Sequence, residues 1–221
     1  MGSLPETLRQ QAEEETVDLN ELIGRAALLA SVLRQKAVRV WLKQELQGYE
    51  PDVQVPSYRT GTDGTLVAMR PGAGWIEAPV TDAVARAAGA YELREGVPEI
   101  LRDYAKIQKT GGQQLQLSEA RQRELKALAR LDAEMSLAVP SSAYERVLET
   151  VRIGIGLWAA ELSARGVVGE GAVFSITERE AAAPVAEQLP QLIAQAAEQA
   201  AQQVAATPSQ TLWSRLFGKA S

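Results

Sequence analysis

The sequence predicts a predominantly helical α+β protein, a helical bundle with a small antiparallel β-sheet inserted near residues 57–78. Three observations lead there. Apolar residues recur at helical spacing through most of the chain. Residues 49–79 instead alternate Pro51, Pro56, Pro71 and Pro79 with short runs rich in Tyr, Thr, Val and Trp. Finally, 221 residues with 46% hydrophobic and 23% charged composition can bury a sizeable core.

Leu4 to Glu15 reads as a short polar helix. From Leu19 the apolar residues Leu22, Ile23, Ala26, Leu29, Ala30 and Leu33 draw one stripe, and Asp18 with Glu21 three residues later forms its N-cap pair. The phase shifts at Arg34-Gln35-Lys36, which implies two helices or one bent helix. The second pattern, Val38 to Leu46, stops at Gly48. Around Thr62-Asp63-Gly64 the signal is strand, turn, strand, with Ser57 to Gly61 on one side and Thr65 to Arg70 on the other. Gly74 to Ala78 is a third extended piece after the Pro71-Gly72-Ala73-Gly74 turn. Such a sheet cannot stand alone and must pack on helices.

Helical patterns return at Thr81 to Leu93, Val97 to Lys109 and Ser118 to Glu134, the last two separated by Gly111-Gly112. After Pro140, the residues Tyr144, Val147, Leu148, Val151, Ile155, Trp158 and Leu162 mark a core helix that Gly166 ends. The loop carrying Gly169, Gly171, Phe174 and Ile176 is expected to fold back on the core, and Thr177 with Glu180 resembles a capping box. Beyond Ala181 the chain is rich in Ala and Gln, and Pro184 and Pro190 restrict where its helix begins. Thr207-Pro208 is a stop, followed by an amphipathic end with Trp213, Leu216 and Phe217.

The composition excludes whole classes of chemistry. There is no His and no Cys. Ser-His-Asp and Cys-His nucleophiles, Cys/His zinc sites and iron–sulfur clusters therefore lack their side chains. The helical ribonucleases that place a His of an Arg-x-x-x-x-x-His motif against the scissile phosphate are excluded on the same ground. The lack of Cys and of a Sec-type leader, and the lack of any apolar run near the roughly 18–20 residues of a membrane span, lead to the expectation of a cytoplasmic protein. A net charge of −5 argues against a nucleic-acid partner.

The remaining constellations are weak. Gly61-Thr62-Asp63-Gly64 and Gly72-Ala73-Gly74 lack the Lys of a phosphate-binding loop and read as hairpin turns. Asp52 with Glu124-Leu125-Lys126 supplies the residue types of a metal-dependent nuclease, but the spacing is long and the Glu-x-Lys lies in a helical pattern. Glu13-Glu14-Glu15 reads as a solvated face. Arg121, Arg123, Lys126 and Arg130 form a modest basic cluster diluted by Glu119 and Glu124. Trp41, Trp75 and Trp158 are core candidates. No catalytic residue, cofactor or metal ligand set is expected. Trp213, Leu216 and Phe217, spaced i, i+3, i+4, are the candidate partner-binding residues. Three occupants stay open for them: the chain's own domain, another protein including a second copy, and a membrane surface.

Several segments, taken in order, carry a family resemblance. Val40-Trp41-Leu42-Lys43-Gln44-Glu45-Leu46-Gln47-Gly48-Tyr49 is similar to the Trp-Val-x-x-Glu-Leu-Asn-Gly-Tyr signature of the AbiTii family. Val55-Pro56-Ser57-Tyr58-Arg59 resembles its Leu-Pro-x-Tyr-Arg element and Ala78-Pro79-Val80 its Ala-Pro-Ile-Pro turn. Val147 to Arg152 and Leu157 to Leu162 resemble its long helix. Gln47 replaces the usual Asn, and Arg34-Gln35-Lys36 replaces a Gly-containing turn. The resemblance covers residues 17–178 and implies abortive infection and phage conflict, with no catalytic residues to carry over. It implies an AbiTii-like domain at 1–178; the Ala/Gln-rich helical segment at 179–206 and the amphipathic tail at 207–221, read from composition, fall outside it. The functional expectation is an antiphage component acting by protein association, including self-assembly as a homo-oligomer or pairing with a protein encoded nearby. A metal-dependent nuclease toxin and a membrane-acting effector are the alternatives.

Overall fold

The computed structural model describes residues 3–169 and 173–206. In chain order the elements are α1 (Leu4–Glu13), α2 (Leu19–Val32), α3 (Lys36–Gln47), β1 (Thr60–Gly61), β2 (Thr65–Arg70), β3 (Gly74–Glu77), α4 (Asp82–Ala88), β4 (Tyr91–Glu92), α5 (Val97–Thr110), β5 (Gly112–Leu115), α6 (Glu119–Ala129), β6 (Met135–Pro140), α7 (Ser141–Ala164), α8 (Ile176–Glu187) and α9 (Leu189–Ala206). The fold is α+β and predominantly helical, as the hydrophobic periodicity predicts. It forms two compact units, each assembled from separate stretches of chain. The first comprises the described residues of 1–54, 94–101 and 146–206, and the second 55–93 and 102–145.

The first unit is helical. Ser3 caps α1 by accepting from the Glu6 amide at 3.2 Å, and Asp18 caps α2 by accepting from the Glu21 amide at 3.1 Å. At the end of α2 the chain makes a Schellman turn. Arg34 is left-handed at φ 59°, and the Gln35 amide reaches back to the Ala30 carbonyl at 2.9 Å. That turn separates α2 from α3, so the phase shift at 34–36 marks two helices. It also carries Gln35 into the interior, where its Nε2 donates to the Ala182 carbonyl of α8 and its Oε1 accepts from Trp158 Nε1 of α7, both at 2.7 Å. Around this joint Val147, Val151, Ile155, Trp158 and Leu162 are all fully buried. Arg152 secures the α1–α2 loop by donating to the Glu14 and Val17 carbonyls at 3.1 and 2.8 Å.

The turn after α7 is held by one carboxylate. Glu178 Oε1 accepts from the Val168 and Gly169 amides at 3.0 and 2.8 Å, while Oε2 accepts from the Ser175 amide and hydroxyl, both at 2.8 Å. Ser175 in turn accepts from the Glu178 amide at 3.1 Å. The capping box is therefore Ser175 with Glu178, two residues before the expected Thr177 and Glu180. Phe174 folds inward at 3% exposure, whereas Ile176 begins the helix with 74% exposed. Pro184 lies inside α8, where its ring removes one ladder donor without ending the helix.

The second unit holds a four-stranded antiparallel sheet of order β3-β2-β6-β5 and a separate β1–β4 pair. Val67 faces Glu77 on β3 and Ser136 on β6, so β2 is central. Leu66, Ala68 and Met135 pack with Ala88 of α4 and Leu125 of α6 in one cluster. Gln122 clasps the sheet, its side-chain amide pairing with both the amide and the carbonyl of Met135.

Several expectations need correction here. Ser57–Arg59 is a 3₁₀ turn with Tyr58 and Arg59 buried, and only Thr60 and Gly61 extend. They pair with Glu92 and Tyr91, so Thr62-Asp63-Gly64 is a link between different partners and not a hairpin turn. The Tyr91 hydroxyl donates to Asp63 at 2.7 Å, fixing that link. The Thr81 to Leu93 pattern splits at Gly89 into α4 and β4. Residues 112–115 and 135–140 are strands, and α6 stops at Ala129. Trp41 and Trp158 are core residues, while Trp75 on edge strand β3 is only half-buried.

Four outcomes follow. Gln35→Leu leaves the Trp158 indole N–H and the Ala182 carbonyl without their side-chain partner, so chemical denaturation should show a loss of about 2–4 kcal/mol. At the exposed left-handed Arg34, glycine is the better residue, so Arg34→Gly should stabilise by about 0.5–1 kcal/mol. Gly48→Ala should do the reverse, by about 2 kcal/mol or more, because φ is +83° and a Cβ would lie 2.6 Å from the Arg94 carbonyl oxygen. The fourth outcome concerns pH. Hydrogen bonds from the Gly169, Ser175 and Val168 backbone hold the Glu178 carboxyl down at about 2, from an ordinary 4.5. Its stabilisation is present above the ordinary value and lost as pH falls towards 2. Amide-exchange protection at Gly169 and Ser175, corrected for intrinsic rates, should decline across that window, and Glu178→Gln should abolish the dependence.

Candidate functional site

The polar candidates do not assemble. Asp52 is exposed and belongs to the first unit, whereas Glu124 and Lys126 belong to the second. Glu124 is paired with Arg121 at 2.8 Å and Lys126 with Asp132 at 3.0 Å. Among the described residues no three carboxylates are grouped to hold a metal ion. Glu13 pairs with Arg9, Glu14 and Glu15 are exposed, and within the basic cluster Arg123 donates to its own helix at the Glu119 carbonyl. Of the Gly61 to Gly64 stretch, Thr62, Asp63 and Gly64 border a recess of about 180 Å³ with Glu77 and Arg86. That is below the range of typical small-molecule sites.

The signature segment is taken up by the fold. Glu45 is fully buried and accepts from the Tyr49 hydroxyl at 2.5 Å, with Trp41 at 5% exposure on the same helix. The Tyr49 amide donates to the Arg94 carbonyl at 2.8 Å, and the Arg94 guanidinium returns to the Glu50 and Val53 carbonyls at 2.6 and 3.0 Å. Gly96 completes the lock, since a Cβ there would lie 2.6 Å from the Leu46 carbonyl oxygen. These residues bind the exit of α3 to the segment ahead of α5.

An apolar groove of about 460 Å³ on the first unit is a better candidate. Leu4, Thr7, Leu8 and Gln11 of α1 form one wall, Arg25, Leu28, Leu29 and Val32 of α2 the other, and Phe174 closes one side. Each wall follows i, i+3, i+4, i+7, the spacing of one helix face. The floor is core, with Leu8 at 4% and Leu29 at 6% exposure, but Leu28 stands 69% exposed. The Glu178 clamp fixes the turn that presents Phe174, and Gly169, at φ +70°, has no room for a Cβ against that ring. Leu4, Val168, Val173 and Ile176 add exposed apolar surface beside the groove. The Leu4 amide lies 3.4 Å from the Val168 carbonyl, and Val173 and Ile176 flank Phe174 in the chain. The other large exposed apolar side chains among the described residues, Val40 and Leu128, stand on α3 and α6. Contiguous apolar surface of this kind marks interaction sites.

Sequence reading missed this groove. Its signal was a second stripe on α2, Arg25-Leu28-Leu29-Val32, sharing only Leu29 with the core stripe. Trp213, Leu216 and Phe217, the expected partner-binding residues, lie outside the described residues. No helix among the described residues is long and apolar enough to cross a membrane.

Neither a curated protein nor a solved structure matches the chain. The AbiTii family model does match, over residues 3–187. That span begins before and ends after the residues on which the resemblance was read, and takes in the signature lock, the groove helices α1 and α2, and α8. The chain belongs to the AbiTii family, and with it to the proteins of abortive-infection defence.

Proposed function

We propose that the chain serves antiphage defence by protein–protein association, with the α1–α2 groove as its contact surface. The observation that supports this is the exposure of Leu28, 69% open to solvent on a face whose neighbours Leu4, Val168, Val173 and Ile176 are also exposed. Covering a single leucine is worth about 1.5–3 kcal/mol when burial is complete, so a partner covering this face gains several such increments. The groove has the form that receives an amphipathic helix, with two ridges offering apolar side chains one turn apart. A partner protein and a second copy of the chain both satisfy that chemistry. Family membership gives the setting, and the dispersal of the candidate carboxylates gives the nuclease alternative no support.

Leu28→Asp tests the proposal, because an exposed position tolerates the change within about 0.5 kcal/mol of stability. In cells expressing the intact locus, the variant should accumulate normally yet lose at least ten-fold in protection, measured as efficiency of phage plating. Leu128→Asp, on α6, should protect like the wild type. Undiminished protection by Leu28→Asp would overturn the assignment of the groove. Cleavage of nucleic acid or nucleotide by the purified protein, lost on changing a carboxylate, would overturn association as the mechanism.

A further inference from the structure

We infer that the partner at the groove is a second copy of this chain, the two α2 helices pairing antiparallel so that each Leu28 seats over the other's Gly24. The inference deepens the association reading and rests on it. Gly24 supplies the first argument. It stands exposed in the middle of α2 on an ordinary helical backbone, and a Cβ there would meet nothing within 4 Å. Glycine at such a position weakens a helix relative to alanine, and none of the described neighbours requires it. The use of glycine that remains is close approach of another backbone. Leu28 follows one turn later on the same outward ridge, 69% exposed, and helps to wall the groove. A knob and a notch four residues apart on one ridge are self-complementary. A two-fold axis level with Ala26 brings each onto the other, which is the reciprocity an isologous interface demands. The amphipathic helix lying along the groove is then the other copy's α2.

Charge allows two copies to meet here. A chain of net charge −5 repels its own copy, so self-association needs a face without net charge. Of the nine residues lining the groove only Arg25 is charged, and Glu21 holds it in an ion pair at 2.5 Å. Area agrees. Leu4, Leu28, Val168, Val173 and Ile176 are 41–74% exposed. Together these side chains present on the order of 500 Å² per copy and about 1,000 Å² for a pair, where specific interfaces begin. An interface of that size predicts a reversible dimer with a micromolar Kd.

Sedimentation equilibrium of the full-length protein, from about 1 to about 200 µM, should show monomer and dimer in exchange. Gly24→Gln fills the notch without meeting any described neighbour. It should raise the thermal midpoint of the dilute monomer yet weaken the dimer about ten-fold or more. A dimer that Gly24→Gln leaves unchanged would overturn the pairing of α2 with α2, and a strict monomer throughout the range would overturn the second copy altogether. The chain contains no Cys, so single introduced thiols report the register cleanly. In a mixture of Gly24→Cys and Leu28→Cys proteins under mild oxidation, the mixed disulfide dimer, identified by mass, should form about ten-fold faster than the Leu28→Cys dimer. Equal rates would refute the register. If the protein is monomeric and Leu28→Asp still loses protection, the second copy fails while association with another protein stands. If the dimer forms as described and Leu28→Asp protects fully, the dimer stands and the association reading of defence fails.

Discussion

The first unit depends on the amide of Gln35. A side-chain amide taken from water without partners is destabilising by several kcal/mol, so it persists in a core only where both ends are satisfied. Here the carbonyl end receives the Trp158 indole and the amino end meets the Ala182 carbonyl. Three helices are thereby fixed in register by one residue at the turn between α2 and α3. Apolar packing alone is non-directional and tolerates rotation of a helix about its axis. Two short hydrogen bonds at 2.7 Å tolerate very little. The Schellman turn that delivers Gln35 requires a left-handed residue, which Arg34 supplies despite its Cβ. Local strain at 34 is offset by satisfaction of the buried amide at 35.

How much of this was legible in the sequence follows from which interactions are local. α2, α3, α5 and α7 are set by spacing, caps and terminating glycines within one stretch of chain, and they were read nearly to the residue. The strands depend on partners far away. β6, Met-Ser-Leu-Ala-Val-Pro, is buried over its first five residues, so it shows none of the alternation that reveals a half-exposed strand. Its register with Leu66 and with Leu115 exists only in the folded sheet. Tyr91 and Glu92 extend because Thr60 and Gly61 lie across from them, a pairing no window of neighbouring residues contains. The capping box was misplaced for a smaller reason. Thr177/Glu180 and Ser175/Glu178 both fit the pattern, and only the tertiary demand of the Val168 and Gly169 amides selects Glu178.

The site divides in the same way. Signature residues such as Trp41, Gly48 and Tyr49 were recognisable, and the structure explains them as fold determinants: they seal α3 against the Arg94–Gly96 segment. The groove was invisible because it needs two helices and a turn, and because Leu28 falls outside the stripe that defines the core of α2. A helix with two apolar stripes sharing one residue buries the wider stripe and leaves the narrower exposed. That geometry turns α1 and α2, by themselves an ordinary helical hairpin, into a surface.

The absence of His and Cys gains meaning against this background. Alone it removes mechanisms without naming a replacement. With Asp52 and Glu124 in separate units and Glu45 enclosed by its own helix and Tyr49, the polar residues read as active-site candidates are solvated, paired or structural. In and beside the groove, large apolar side chains stay open to solvent at Leu4, Leu28, Val168, Val173 and Ile176. Such a face tends to draw molecules together unless it is covered.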